Sequence, residues 1–195
     1  MRRISIIAFA VAALAGLVAP ASAQERWSLD ATVGPSFGSI GTTFAAGGAL
    51  NVPVNDRVSV VGELGVLPNA SASDADGLVS PLPGRVPTSD VHVNAYNVNA
   101  NVRVRGNDYF RFTPYVTAGV GAFTADTVGR QELVDAGVSE WTRRTDLATN
   151  VGAGVTYRLS EHLGLNADWR TFFVNGDNDV ERVNRFTTGF SVSLR

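Results

Sequence analysis

Polar and apolar residues alternate strictly along a segment in the middle of the chain. In YNVNANVRVRG, residues 96–106, tyrosine, valine and alanine occupy the even positions up to 104, while asparagine and arginine occupy the odd ones. Because successive side chains of a β-strand point to opposite faces, this period of two predicts a strand with one apolar and one polar face. In a soluble barrel the apolar face would point inward, whereas in a membrane barrel it would contact lipid. The segment alone is compatible with both arrangements.

The same alternation recurs in seven further segments of the chain. No segment after residue 23 shows the 3.6-residue period of an amphipathic helix. The pattern therefore predicts an all-β protein with eight strands, at residues 27–37, 43–54, 57–67, 96–106, 112–124, 145–159, 163–174 and 185–195.

The connections between these predicted strands differ in length on the two sides of the sheet. On the side that holds both termini of the strand series the connections are short, at 55–56, 106–111 and 160–162. On the other side three of four are long and rich in Ser, Asp, Pro and Gly, at 68–90, 125–143 and 175–184. Short turns on one side and long loops on the other are the plan of an outer-membrane barrel.

The amino terminus has the layout of a cleavable secretory signal. Two arginines precede an apolar run over residues 4–18, and Pro20 and a group of small residues follow. A membrane-anchoring helix is the weaker interpretation, because the run is short and ends at a helix-breaking residue. We therefore predict a signal peptide at 1–23 and an outer-membrane β-barrel domain at 24–195.

Composition limits the partners that the protein can have. The formal net charge is -2, all sixteen basic residues are arginine, and no basic stripe stands out, so no nucleic-acid partner is expected. The chain contains no cysteine. An exported domain without disulfides must be held together by packing or by closure of its hydrogen-bond ladder.

Charged residues within the predicted strands all fall on the polar faces. A charge facing lipid near the bilayer centre would be strongly unfavourable, so this placement favours lipid outside and polar groups inside. Eight strands enclose only enough room for side chains, and buried charges there should pair. The pattern predicts a plugged lumen with a charge network of Asp30, Glu63, Arg103, Arg105, Arg144, Asp146, Arg158, Asp168 and Arg170.

Three stretches resemble a known family: TPYVTAGVGAF (113–123), NVGAGVTYRLSEHLGLNADWR (150–170) and FTTGFSVSLR (186–195). With their alternation and inward glycines, residues 24–195 resemble the small eight-stranded outer-membrane β-barrels of Gram-negative bacteria, which include the OmpA membrane domain and the OmpX-like barrels. The resemblance implies an antiparallel up-and-down transmembrane β-barrel in contact with outer-membrane lipid and lipopolysaccharide. It also implies that the barrel-assembly machinery reads the last strand, which here ends in Leu194-Arg195 instead of the usual aromatic residue.

Some barrels that resemble this fold are lipid A deacylases with a histidine, serine and acid set. Here His92 lies at the outer end of the fourth predicted strand, but Asn94 stands where those enzymes have serine, and His162 lies in a turn. The sequence therefore predicts no enzyme: no catalytic residues, no cofactor and no metal site.

The predicted function is a structural or surface-contact role in the outer membrane. Binding residues concentrate on loops that a rigid scaffold carries, so loops 68–90 and 125–143 are the candidate contact surfaces for an extracellular ligand. Two alternatives remain open from the sequence. One is a soluble periplasmic barrel of the lipocalin type that binds a small apolar ligand, and the other is a narrow porin-like channel.

Overall fold

Eight antiparallel strands close into a barrel in the computed structural model of the protein. Each strand pairs with its neighbours in the sequence, and β8 pairs with β1 to complete the cylinder. This confirms the predicted up-and-down barrel. The strands are β1 Ser28–Gly38, β2 Thr43–Pro53, β3 Val58–Ser71, β4 His92–Arg105, β5 Phe112–Val128, β6 Trp141–Arg158, β7 Leu163–Asn175 and β8 Val180–Ser193.

The structure describes residues 27–38, 42–71, 92–128, 141–176 and 180–194. The predicted signal peptide at 1–23 and parts of the three long predicted loops, at 72–91, 129–140 and 177–179, lie outside these residues. Within the described ranges, no helix is long and apolar enough to cross a membrane.

The polar face of each strand lines the inside of the barrel. On β4, Asn99 and Asn101 are 3% and 1% exposed, whereas Val98 and Val102, on either side of them in the sequence, are 47% and 45% exposed. The other strands follow the same parity. The apolar faces therefore form the outer surface, and the alternative of a lipocalin-type barrel with an apolar interior is wrong.

The three short connections are tight turns held by local hydrogen bonds. In the β2–β3 turn, Asn55 Oδ1 accepts hydrogen bonds from the backbone N–H groups of Arg57 and Val58, at 2.9 and 2.8 Å. In the β6–β7 turn, Ser160 Oγ accepts from the N–H of Leu163 at 3.1 Å. Asparagine and serine favour such turns because their short side chains bond the backbone two or three residues on.

Strands β3 and β4 extend further than the alternation predicted. The sequence placed a loop at 68–90, but the ladder continues as far as the pair of Ser71 with His92. The register shifts between Leu67 and Ala70, and Pro68 in this stretch has no N–H to donate to the ladder. The predicted start of this loop was therefore wrong: Pro68 marks a bulge within the strand.

The other two long loops are also shorter than predicted. The sequence placed loops at 125–143 and 175–184, but β5 and β6 stay paired up to Val128 and Trp141, and β8 begins at Val180. Backbone pairing needs no apolar face, so strands can continue beyond the lipid layer without alternation. The predicted boundaries followed the end of the alternation and not the end of the ladder.

Candidate functional site

The inward side chains divide the lumen into three layers along the barrel axis. Strand β7 shows their order: Asn166 near the short turns, then Asp168 and Arg170, then Phe172 and Val174 toward the long connections, all of them buried. A polar vestibule thus gives way to a charged layer and then to an apolar layer.

Glu63 of β3 is the acceptor at the centre of the charged layer. Its Oε2 accepts a hydrogen bond from Nη1 of Arg170 on β7, and its Oε1 accepts one from Nη2 of Arg185 on β8. The three side chains are between 3% and 8% exposed. Because each carboxylate oxygen has its own guanidinium, the buried charge of Glu63 is compensated on both sides.

Asp168 extends this cluster on the other side of Arg170. Nε of Arg170 lies 3.2 Å from Oδ1 of Asp168, and its Nη2 donates to Oδ2 at 3.3 Å. The hydroxyl of Tyr115 on β5 donates to the same Oδ2 at 3.0 Å. Asp168 therefore links Tyr115 of β5 to Arg170, the arginine that Glu63 of β3 also binds.

Arg103 of β4 joins the last part of the cluster. Its Nη1 donates to Oδ2 of Asp30 on β1 at 3.3 Å, and its guanidinium carbon lies 4.2 Å from the centre of the Tyr115 ring. Such a stacked cation is attracted by the ring face. The result is one connected cluster of three arginines, three carboxylates and a tyrosine from six strands, which we call the lumen network: Asp30, Glu63, Arg103, Tyr115, Asp168, Arg170 and Arg185.

Five of the nine residues predicted for a lumen network lie in this one, and four do not. Arg144 and Asp146 pair with each other at 2.7 Å near the long connections, where they are partly buried. Arg158 lies outside the lumen network, at the end of the lumen near the short turns: its side chain is 60% exposed, lines the vestibule and pairs with Asp108 at 3.2 Å. It is the last residue of β6, so the polar parity takes it to the mouth of the barrel. Arg105 lines the vestibule at the same end.

Sequence reasoning missed Arg185 and Tyr115 as members of the network. Both have lumen parity, and this was the available signal. Arg185 is the first residue of the predicted last strand, beside the segment predicted as loop 175–184. Tyr115 carries no charge, so the predicted network of charged residues did not include it. Its hydroxyl contacts Asp168 and its ring contacts Arg103.

Inward glycines provide the space that the network occupies. A Cβ built on Gly154 would lie 2.5 Å from the ring and hydroxyl of Tyr115. One on Gly152 would lie 2.6 Å from the Trp169 carbonyl oxygen and 3.2 Å from Cγ of Arg170. Contacts this short force the neighbouring atoms to move. The glycines of β6 therefore make room for the large side chains of β5 and β7.

An apolar layer closes the lumen above the lumen network. Phe172 is 2% exposed, and the Arg185 guanidinium lies 4.9 Å from its ring centre, so the two layers are in contact. Phe123 is also 2% exposed and points inward. The layer consists of Ala45, Leu67, Ala95, Phe123, Ala125, Ala148, Phe172, Val174 and Val183.

The cavities show where the barrel is closed. The cavity within the lumen network has a volume of about 20 Å³, which is room for about one water molecule. The vestibule at the end of the barrel with the short turns has about 710 Å³ and is lined by Arg103, Arg105 and Arg158 among polar neighbours. The vestibule is thus a blind recess whose floor is the charged layer.

A second, exposed polar cluster lies in the β4–β5 turn. A hydrogen bond from the Thr113 hydroxyl, at 2.6 Å, is the main cause that lowers the pKa of Asp108 below its ordinary value of 3.8. The charges of Arg158 and Arg105 lower this pKa further, against an opposing effect of burial. Asp108 therefore stays ionised through the neutral pH range and holds the rim arginines.

The outer surface carries an apolar band with aromatic residues near both ends. Trp27, Phe112 and Tyr157 lie toward the short turns, and Phe44 and Tyr96 toward the long connections. The rings of Phe112 and Tyr157 are 4.8 Å apart. Aromatic side chains at these two levels are typical of the water interfaces of a membrane protein.

The two histidines lie at opposite ends of the barrel. His92 pairs in register with Ser71 and Val128 at the outer end, while the His162 carbonyl accepts the Ser193 N–H in the β6–β7 turn. The two therefore do not form one site. Among the described residues, no three metal-ligating side chains come together.

An outer surface of this kind around a charged, closed lumen defines a transmembrane β-barrel, and comparisons with known proteins agree. Residues 9–193 match the family described as outer membrane protein beta-barrel domain. The chain belongs to this family, and it is a protein of the outer membrane. No curated protein matches the sequence.

Several solved structures share the fold at low sequence identity. Neisserial surface protein A is 15% identical with a TM-score of 0.61, over 86% of this chain and 96% of that one. A major outer membrane protein from Thermus thermophilus is 13% identical with a TM-score of 0.57, over 87% and 100%. The N-terminal β-barrel domain of Pseudomonas aeruginosa OprF is 16% identical with a TM-score of 0.52, over 86% and 98%. At these identities the likeness concerns the fold.

Proposed function

We propose that the protein is a sealed barrel that anchors surface loops in the outer membrane and passes no solute. The observation that carries this proposal is the double closure of the lumen, by the lumen network and by the apolar layer above it. An ion that entered the vestibule would have to displace paired charges and then cross a layer without polar partners. The alternative of a narrow porin-like channel requires a continuous polar path.

Single-channel recording in planar lipid bilayers tests the seal. The purified protein, folded and inserted, should give no step-like conductance, while a porin of known conductance in the same bilayers shows that the assay works. A variant with Phe123→Ala and Phe172→Ala removes the two rings of the apolar layer and serves as the comparison. Conductance steps from the unmodified protein would contradict the proposal, and steps from the variant alone would assign the seal to the apolar layer.

We further propose that the connections left between the paired strands, 72–91 of the predicted loop 68–90 and 129–140 of the predicted loop 125–143, contact an extracellular ligand. The barrel holds the paired bases of both loops, as far as Ser71, His92, Val128 and Trp141, so the loops start from a rigid rim. Rigid scaffolds that carry variable loops are a common basis for recognition. Protease treatment of intact cells tests this exposure: cleavage within either loop is expected, and full protection of both would contradict it.

Residues 1–23 act as the signal peptide. Amino-terminal sequencing of the mature protein should therefore begin at Gln24. The barrel-assembly machinery recognises the last strand, with Leu194 at the position that usually holds an aromatic residue. The variant Leu194→Phe restores an aromatic residue there, so it should not lower the yield of folded protein in the membrane. No enzyme activity is expected, and release of fatty acid from lipopolysaccharide by the purified barrel would contradict this.

A further inference from the structure

The turn between β4 and β5 presents two exposed aromatic side chains at the end of the barrel with the short turns, which is the periplasmic end in outer-membrane barrels. Phe110 is 95% exposed and Tyr109 is 75% exposed. The backbones of Tyr109 and Phe112 exchange two hydrogen bonds, of 2.8 and 2.9 Å, so Phe110 and Arg111 form the tip of a tight hairpin. This tip is separate from the lumen and from the loops on the other side.

The backbone of Phe110 has a conformation that large side chains rarely adopt. Its φ is +56°, and among the described residues it is the one non-glycine position with a positive φ. Tight hairpin tips usually place glycine, asparagine or aspartate at such positions. Strained backbone positions that persist often have a functional reason. Here an apolar ring is held at a strained tip without packing against the rest of the protein.

The tip continues the lipid-facing surface of the barrel. Phe112, two residues after Phe110, faces outward and packs against Tyr157 in the periplasmic aromatic band. Because Phe110 and Arg111 form the hairpin tip, only a tight turn separates Phe110 from Phe112. Phe110 therefore lies directly beside the aromatic band, on the side toward the headgroups.

Two exposed arginines flank the same tip. Arg111 is part of it, and Nη2 of Arg57 donates to Oδ1 of Asn107 at 3.4 Å, which places Arg57 beside the turn. The carboxylate of the turn, Asp108, is held by Thr113 and Arg158. Arg57 and Arg111 thus place positive charge beside the exposed ring, and anionic headgroups attract arginine side chains near a membrane surface.

We propose that the β4–β5 turn is an anchor in the periplasmic leaflet of the outer membrane. The Phe110 ring inserts among the phospholipid headgroups and upper acyl chains, and Arg57 and Arg111 bind anionic headgroups beside it. The anchor fixes the depth of the barrel from the side opposite the surface loops. It rests on the exposed turn, so it stands or falls independently of the sealed lumen.

Spin labelling tests the position of Phe110 directly, because the chain has no native cysteine. A nitroxide is attached to Phe110→Cys, and to Asp56→Cys in the neighbouring β2–β3 turn as the matched control. Both proteins are folded into vesicles of phosphatidylethanolamine and phosphatidylglycerol, and gel mobility before and after boiling confirms folding. The label at 110 should collide mainly with membrane-soluble oxygen, and the label at 56 mainly with a water-soluble nickel chelate.

Each other outcome overturns the proposal. A label at 110 that meets the nickel chelate as readily as the label at 56 would place the turn in water. A label at 110 shielded from both reagents would place it against a protein surface, either of the same barrel or of a second copy. In the variant with Arg57→Gln and Arg111→Gln, the label at 110 should shift toward the nickel chelate, and an unchanged ratio would overturn the headgroup contacts.

Discussion

Single side chains of the lumen act on stability mainly through their partners. Glu63 shows this most clearly, because its two oxygens are shared between Arg170 and Arg185 on two different strands. Removing one partner of a buried ion pair leaves the other charge buried and unpaired, which is more unfavourable than the pair is favourable. Substitution of a carboxylate in the lumen network should therefore destabilise the barrel, because it leaves buried arginines without a countercharge.

Replacing Glu63 by glutamine should destabilise the barrel strongly. The expected loss in the free energy of unfolding is about 3–5 kcal/mol, because two buried guanidiniums lose their shared countercharge. Urea titration of the protein folded in phospholipid vesicles, followed by tryptophan fluorescence, measures it.

Asp56→Asn is the matched control, because it also removes one carboxylate but at an exposed turn. It should change the free energy of unfolding by no more than about 0.5 kcal/mol. Equal urea midpoints for the two variants would show that the buried ion pairs of Glu63 do not stabilise the barrel.

The composition of the network was only partly predictable from the sequence. Strand parity alone placed Glu63, Arg103 and Arg170 on the inner face. The partners could not be predicted, because the stagger of the strands around the barrel decides which inward residues meet across it. Arg185 was missed although it has lumen parity, because it lies at the very start of the predicted last strand, beside the segment predicted as loop 175–184.

The strands of the barrel depend on close contact at the seam where β8 meets β1. Gly189 is opposite Thr32 in this seam, and a Cβ on Gly189 would collide with the carbonyl oxygen of Ala31. On the outer face of β3, by contrast, a Cβ on Gly62 would meet nothing within 4 Å. The two glycines therefore allow the closure of the barrel to be tested with one type of substitution.

Gly189→Ala should weaken the closing seam, whereas Gly62→Ala should be neutral. A forced backbone shift of this kind typically costs about 1–3 kcal/mol. The fraction of protein that migrates as the compact form on an unboiled gel, together with the urea midpoint, measures the effect. If both variants fold to the same extent, the collision at Ala31 is relieved without cost and the seam is not tightly specified.

Strand existence was predictable and strand ends were not. All eight segments were found from their alternation, because one face of each must meet lipid over the apolar layer. Beyond that layer the alternation ceases while the ladder continues, as at Ser71 and Val128. The bulge near Pro68 and the outer ends of the long strands were therefore predicted as loop.

The protein as a whole inverts the arrangement of a soluble barrel. Valines cover its outside, paired charges and asparagines fill its inside, and an apolar layer closes the end of the lumen toward the long loops. The family and the fold support this orientation, and the proposed seal, surface loops and periplasmic anchor all depend on it.

Nuclear Overhauser effects between lipid and protein in a bilayer test this orientation most directly, without any substitution. With the barrel folded in phospholipid nanodiscs, acyl-chain methylene protons should show cross-peaks to the methyl groups of Val98, Val102 and Val104. The side-chain amide protons of Asn99 and Asn101 should show none. Cross-peaks from lipid to these asparagine amides, with the valine methyls shielded from lipid, would contradict the account.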